Sequence, residues 1–388
     1  MVTVESGMPL LITLVGSELA REIGKQARLP PALHAGTSDA QQRDLLRLAG
    51  RHRVVPLLAR ALHDADADAR EAARSLRSQV AMAAMLAARD LHRVLDVLAA
   101  GNVRVLALKG VSLAAQTTGD FTSRGSGDID LLVSPSDVAL ASRLLVDAGM
   151  TRWVEFCPSP ESALFLVASR LLQESVFYVN GREIDLHWRL DMSRTCMNWD
   201  FDDLWNRRAE VDVAGRMTPT LGLLDAAVFN SSHGAKDAWS KLGQVVDQVR
   251  LSRLIDAGEI RRHAVDSGTL HRWEIGERVA GLLTGDRAQA GTRTRFLGDR
   301  AASWLCADLS TRDTKGVLST SRLFMFNVAS YDRVRSGFQR AGVLIWPLRA
   351  MAAGRLGAFG ERHPWAYAAL GPVFLPGRLL GKFRAPAT

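Results

Sequence analysis

The chain has 388 residues, 47% of them hydrophobic and 23% charged, enough to bury a sizeable core across two or three domains. Its net charge of +8 is local: residues 321–388 hold ten lysines and arginines against two acids, the rest is balanced, and a generally basic protein is excluded. Cys157, Cys196 and Cys306 have no metal-binding spacing and cannot all pair, which points to a reducing, cytoplasmic compartment.

The apolar run near the N-terminus follows Glu5 and no basic residue, so no secretory leader is expected. No stretch reaches the roughly 20 apolar residues of a membrane span. Residues 1–100 read as a helical region. "SDAQQRDLLRLAGRHRVVPLLARAL" opens on a Ser38/Asp39 cap with leucines at helical spacing, and residues 75–100 form a long amphipathic helix ended by Gly101-Asn102. The texture then changes. "VRVLAL" (103–108) reads as a strand, Lys109-Gly110 as a turn and "VSLAAQ" as the start of a helix.

"DIDLLV" (128–133) is a second strand, followed by a helix from Pro135 to near Gly149 and a third strand over 150–156. A helix around 160–174 leads into "SVFYV", Asn180-Gly181 and "REIDLHW" (182–188), a hairpin pattern. From about 219 the chain reads as helical again. The expected division is a helical region over 1–100, an α/β unit over 101–215, a second helical domain over 216–320 and a basic apolar tail over 321–388.

The two aspartates of "RGSGDIDLLV" (124–133) carry the chemistry. Alternate residues of a strand share a face, so Asp128 and Asp130 point together while Ile129, Leu131 and Val133 enter a core. Like charges at the mouth of an apolar strand repel and resist desolvation, so a positive partner is expected. Glu183, Asp185 and His187 repeat the pattern on "REIDLHW". If the two strands are neighbours, Asp185 completes a three-carboxylate cluster, and oxygen ligands select a hard cation such as Mg²⁺ or Mn²⁺. The plain alternative is a set of solvated strand-end acids.

"LALKGVSLA" (106–114), "RGSGDIDLLV", "EIDLHWRL" (183–190) and "SSHGAKDAWSKLGQVVDQVRL" (231–251) together resemble a bacterial nucleotidyltransferase family of the DNA polymerase β-like superfamily. The likeness covers roughly residues 40–255. It implies an α+β fold, a small mixed-sheet palm flanked by N- and C-terminal helical regions. It also implies Asp128, Asp130 and Asp185 as catalytic metal ligands for Mg²⁺ or Mn²⁺, with Asp185 activating the acceptor hydroxyl. Lys109-Gly110 occupies the place of the superfamily's helix-start turn, whose backbone amides face phosphate. Val111 stands where the wider superfamily has Gly or Ser, with Ser112 one position later.

Lys109, Gly110, Ser112, Arg124, Ser126 and Lys236 are therefore the expected nucleotide contacts. Three of them have a structural alternative: a surface lysine for Lys109, an acid partner for Arg124, a solvated helix face for Lys236. His187 is read equally as a structural hydrogen-bond partner, and Asp247 as structural, paired with a base.

The resemblance implies transfer of NMP from an NTP such as ATP to an acceptor hydroxyl on a peptide, small molecule or glycan, releasing pyrophosphate. Two alternatives stand: a D-x-D metal-dependent glycosyltransferase, in which the apolar strand normally precedes the motif, and a retired palm serving as a binding module. No motif supports sequence-specific nucleic-acid binding. The tail interleaves arginines with Phe359, Trp346, Trp365 and Phe374, which suits an anionic membrane surface or an acidic acceptor. Any interfacial helix there is short and centred near 341–359, and packing of the tail on the helical domain is the alternative.

Overall fold

The computed structural model describes residues 7–24, 39–62, 67–125, 127–153, 159–286, 291–308, 317–333, 335–337 and 357–366. Four helices come first: α1 (Gly7–Glu22), α2 (Asp39–Arg51), α3 (Val55–Ala61) and α4 (Ala67–Ala100). The last begins earlier than its leucine pattern suggests, because Ala67–Arg74 is a run of mostly strong helix formers. α2 ends at His52–Val54, and Pro56 sits in the first turn of α3, where its missing N–H costs nothing.

The α+β palm follows: β1 (Val105–Ala107), α5 (Val111–Thr118), β2 (Ile129–Val133), α6 (Val138–Asp147), β3 (Thr151–Arg152), α7 (Ala163–Leu171), β4 (Glu174–Val179) and β5 (Arg182–His187). Of the third strand only Thr151–Arg152 is paired, and 154–158 lie outside the described residues. The expected Asn180-Gly181 hairpin is present, with both turn residues at positive φ, as a two-residue turn between twisted strands requires.

The sheet has one further hairpin, which the sequence pattern does not announce. After α8 (Phe201–Asn206), strands β6 (Ala209–Val213) and β7 (Arg216–Thr220) extend the sheet. Its turn is Ala214-Gly215, both at positive φ. An alanine there lacks the usual Asn or Asp signature, and Pro219 inside β7 argues against a strand by sequence alone.

The seven strands run in the order β3-β4-β5-β2-β1-β7-β6. β2 lies parallel to β5 and antiparallel to β1, so it is central and buried along its whole length. Its alternation divides the core. Ile129, Leu131 and Val133 pack with Ile184, Leu186 and Trp188 against α4 and α6. Leu132 joins the opposite layer, with Leu106, Leu108 and the helices that follow. Those are α9 (Leu223–Lys236), α10 (Leu242–Leu254), α11 (Ala257–Ser267) and α12 (Leu270–Thr284), and after them in the chain come α13 (Thr292–Cys306) and α14 (Val317–Ala329). α1–α3 form a third cluster with α10, α12 and α13.

α14 lies against α9, and Phe326 and Tyr331 are buried. Within the basic stretch the structure also describes α15 (Gly357–Arg362), packed against α7, with Phe359 and Trp365 exposed. The helix expected near 341–359 falls largely outside the described residues. No helix among the described residues is long and apolar enough to cross a membrane.

Candidate active site

The in-register parallel pairing of β2 and β5 sets Asp130 directly opposite Asp185, and Leu131 opposite Leu186. The leucines face the core, so both carboxylates face the opposite way. His187, two residues past Asp185, shares that face. Asp130, Asp185 and His187 each offer a ligand atom, all within 4.8 Å of one another. They lie in a cleft of about 280 Å³ between the sheet and α9, α10 and α12. Asp128 lines the same cleft at its rim. Its carboxylate is 39% exposed and lies 3.5 Å from the Arg53 guanidinium.

Asp130 is the buried member, with a side chain 4% exposed, and its counter-charge is Lys109 Nζ at 2.8 Å. The pair is set by the backbone: the Leu108 amide donates to the Asp130 carbonyl at 2.9 Å, bringing the end of β1 beside β2. Lys109 then has Gly110 as its neighbour, at φ +66° and ψ −130°, a conformation suited to glycine at the start of α5. Lys109 also lies 5.1 Å from the centre of the Phe229 ring. The positive partner demanded by the paired aspartates is thus two residues, Lys109 for Asp130 and Arg53 for Asp128.

Of the other expected nucleotide contacts, Lys236 ends α9 and lines the cleft. Arg124 also lines it, with Nε donating to Asp247 at 2.7 Å in a buried ion pair. Asp247 is therefore the base-paired structural acid that the sequence suggested. Gly110 and Ser112 are not on the cleft wall. Ser112 is fully buried in the first turn of α5, its hydroxyl without a hydrogen-bond partner among the described residues. Ser126 lies outside the described residues.

A family model described as uncharacterised nucleotidyltransferase matches residues 38–284, more than half of the chain. The chain belongs to that nucleotidyltransferase family. No curated protein and no solved structure matches it. The matched span includes the whole sheet, α2–α12 and every expected site residue.

The electrostatics of this nucleotidyltransferase-family site are asymmetric. Burial alone would raise the Asp130 carboxyl, but the Lys109 ammonium and His187 override it and hold Asp130 well below the usual range. For Asp185 burial, and then the Asp130 carboxylate, outweigh the attraction of His187 and push it up to about 7. His187 Nε2 lies 3.4 Å from Asp130 Oδ1. Its Nδ1 lies 3.2 Å from Glu174 Oε2, but off the line of a hydrogen bond, so it is a buried polar atom with a charge nearby and no hydrogen-bond partner among the described residues. Burial disfavours the imidazolium, and Glu174 and Asp130 more than compensate, raising His187. His233 shifts the other way, held well down by burial and then by Lys109 and Lys236.

The donor set fits a divalent cation. Two crowded carboxylates, one of them pushed toward neutrality, and an imidazole nitrogen without a bonded partner are what a cation's charge would relieve. Asp128 is not part of this cluster: its carboxylate stands at the rim beside Arg53.

Sequence reasoning missed the far wall of the cleft. Arg272 of α12 is 1% exposed and stacks 3.6 Å from the centre of the Tyr331 ring. Its Nη1 donates to Asp191 Oδ2 at 2.9 Å and to Ser232, its Nη2 to Asn327 at 3.1 Å, and Tyr331 Oη donates to Asp191 Oδ1 at 2.8 Å. Nothing local in the sequence announces a bond between residues 140 positions apart. Arg272→Ala would leave Asp191 buried without its cation and is expected to destabilise the fold by about 3–5 kcal/mol. Urea unfolding would measure this. A loss below about 1 kcal/mol would mean that water replaces the guanidinium.

Proposed function

We propose that this protein is a divalent-metal-dependent nucleotidyltransferase that moves NMP from an NTP to an acceptor hydroxyl and releases pyrophosphate. The observation that carries this reading is the pairing of Asp130 with Asp185 on adjacent parallel strands, inside a cation-rimmed cleft, in a chain of a nucleotidyltransferase family. The palm over 101–215 would hold the site between helical regions 1–100 and 216–320. Asp128, Asp130 and Asp185, with His187 beside them, would hold Mg²⁺ or Mn²⁺. The bound ion supplies charge neutralisation for the phosphates.

This chain's own groups do the rest. Lys236 and Lys109, both on the cleft wall, would offset a triphosphate that carries about four negative charges. Arg124 is held by Asp247, which keeps it at the cleft wall, and the Ser126 hydroxyl would add a contact to the nucleotide. Asp185 would accept the proton of the acceptor hydroxyl. The acceptor oxygen bonds to the α-phosphorus, the bond to the bridging oxygen of the β-phosphate breaks, pyrophosphate leaves, and the hydroxyl proton goes to Asp185.

The acceptor class stays open among peptide, small molecule and glycan. We keep an anionic membrane surface or acidic acceptor as the partner of the basic stretch 321–388, and the cytoplasm as the compartment.

Incubation with each labelled NTP and Mg²⁺ or Mn²⁺ tests the reaction through pyrophosphate release, self-labelling and transfer into a cell extract. Nucleotide binding without pyrophosphate release under any of these conditions would turn the reading to a retired palm. Lys236 makes no ion pair among the described residues, so Lys236→Ala is expected to change stability by less than about 0.5 kcal/mol. NTP affinity should fall about tenfold. Unchanged affinity by calorimetry would remove Lys236 from the nucleotide site.

A further inference from the structure

Arg53 stands on the short break between α2 and α3, far from the sheet in sequence yet at the rim of the cleft. Its φ is +60°, the left-handed region that a non-glycine residue enters only when its surroundings hold it there. The surroundings do. The Arg53 amide donates to the Gly50 carbonyl at 3.2 Å, and the Val54 amide to Ala49 at 2.9 Å. The preceding residue, His52, is fully buried. His52 Nδ1 accepts from the Leu242 amide at 3.2 Å, its carbonyl accepts from the Gly243 amide at 2.9 Å, and its Nε2 lies 3.1 Å from Asp308 Oδ1.

Three glycines make room for the side chain. A Cβ on Gly125 would lie 3.2 Å from Arg53 Cβ, and one on Gly243 3.3 Å from it. A Cβ on Gly127 would come within 3.0 Å of the guanidinium Nη2. Two of these glycines flank Ser126, immediately before the aspartates. Their place in the motif is therefore explained by the close approach of an arginine more than 70 residues upstream.

So much fixation serves an ion pair that contributes little to the fold. Arg53 and Asp128 are each more than a third exposed and 3.5 Å apart, an open pair that water and salt weaken. The position is more informative. Arg53 and Asp128 both line the cleft and also an open polar groove of about 410 Å³ beside the Asn180-Gly181 turn, so the pair stands between the two spaces. Lys241 lines the cleft too, its ammonium lowered by burial and then by Arg53 and Arg51. Once Asp128 is engaged elsewhere, this rim carries excess positive charge.

We propose that Arg53 is a phosphate-binding residue that exchanges partners: the guanidinium now on Asp128 turns to the phosphates when a nucleotide enters with its divalent ion. The proposal rests on the nucleotidyltransferase reading, with Asp128 as a metal ligand. A cation on Asp128 repels the guanidinium, and the planar fork of arginine matches two phosphate oxygens as it matches a carboxylate. The held backbone keeps the side chain within reach of both partners.

The test is calorimetric titration of the full-length protein, as wild type, Arg53→Gln and Arg53→Lys, with Mn²⁺ alone and with Mn²⁺ plus α,β-methylene-ATP. The exchange predicts opposite responses. Arg53→Gln should bind Mn²⁺ alone as tightly as wild type or more tightly, having lost a competing cation at Asp128. It should bind the Mn²⁺–nucleotide about tenfold more weakly. Arg53→Lys, which keeps the charge but not the fork, should fall between. Parallel weakening of both probes would mean that Arg53 is a structural strut, and unchanged nucleotide affinity would remove it from the site. Either overturns the proposal. Thermal melts of both variants separate misfolding from either outcome. If the wild type takes up neither probe, the metal–nucleotide reading itself fails, and Arg53 with it.

Discussion

Asp130→Asn is expected to lower nucleotidyl transfer by about 10³-fold or more, because it removes the central carboxylate of the cation-binding face. It should also destabilise the protein. Lys109 Nζ lies 2.8 Å from Asp130, both side chains are nearly buried, and the substitution strands the ammonium. Breaking one side of such a pair costs about 3 kcal/mol or more, a large part of a total of about 5–15 kcal/mol. The sign follows from the depressed Asp130 carboxyl. Its contribution is present above the ordinary carboxylate range and is lost as pH falls through its lowered value. Denaturant titration at pH 7 and pyrophosphate release measure the two effects. A variant as stable as wild type would mean that Lys109 finds another anion.

Asp185→Asn should silence transfer equally and affect stability in the opposite direction. Its folded carboxyl lies at about 7, well above the 3.8 of an unperturbed aspartate. The stability it contributes is therefore fully present below about pH 4 and lost as pH rises through 7. In chelator-treated protein, Asp185→Asn removes that loss. The variant should match wild type near pH 4 and exceed it at pH 8 by about 1–2 kcal/mol, less than the full shift implies because Asp130 shares the titration. Adding Mn²⁺ should reverse the order, raising wild type by about 2.7 kcal/mol at a hundredfold excess over Kd and the variant by much less. Melting curves with and without metal at pH 4 and 8 decide this. A variant no more stable than wild type at pH 8 without metal would show that Asp185 is not the strained carboxylate.

Much of this site was legible because its parts are local. "DIDLLV" and "REIDLHW" announced strands with a carboxylate face and an apolar face, and the pairing of β2 with β5 followed once they were taken as neighbours. Asn180-Gly181 announced its hairpin for the same reason. The unreadable parts share a cause: they depend on residues that meet only in three dimensions. Arg53 reaches Asp128 from another helical layer, and Arg272, Asp191 and Tyr331 come from three separate segments. Ion pairs of that kind leave no periodicity in the chain. His187 was readable in place but not in role, since its Nδ1 becomes a poorly bonded buried atom only when Glu174 of β4 packs beside it. β6–β7 was hidden by its composition, with an alanine at a position of positive φ and a proline within the strand.

The closed wall formed by Asp191, Arg272 and Tyr331 has a consequence for the order of events during synthesis. The ribosome delivers the acidic strands β2 and β5 first, and Tyr331 comes 140 residues after Asp191. At elongation rates of about 5–20 residues per second, that interval is roughly 7–28 s. Throughout it a nascent chain can pair β2 with β5 but has no Tyr331 hydroxyl for Asp191 and no aromatic ring for Arg272 to stack on. The cleft therefore gains its last wall only once Tyr331 has emerged, and a chain truncated before α14 would carry the acidic strands without a closed site.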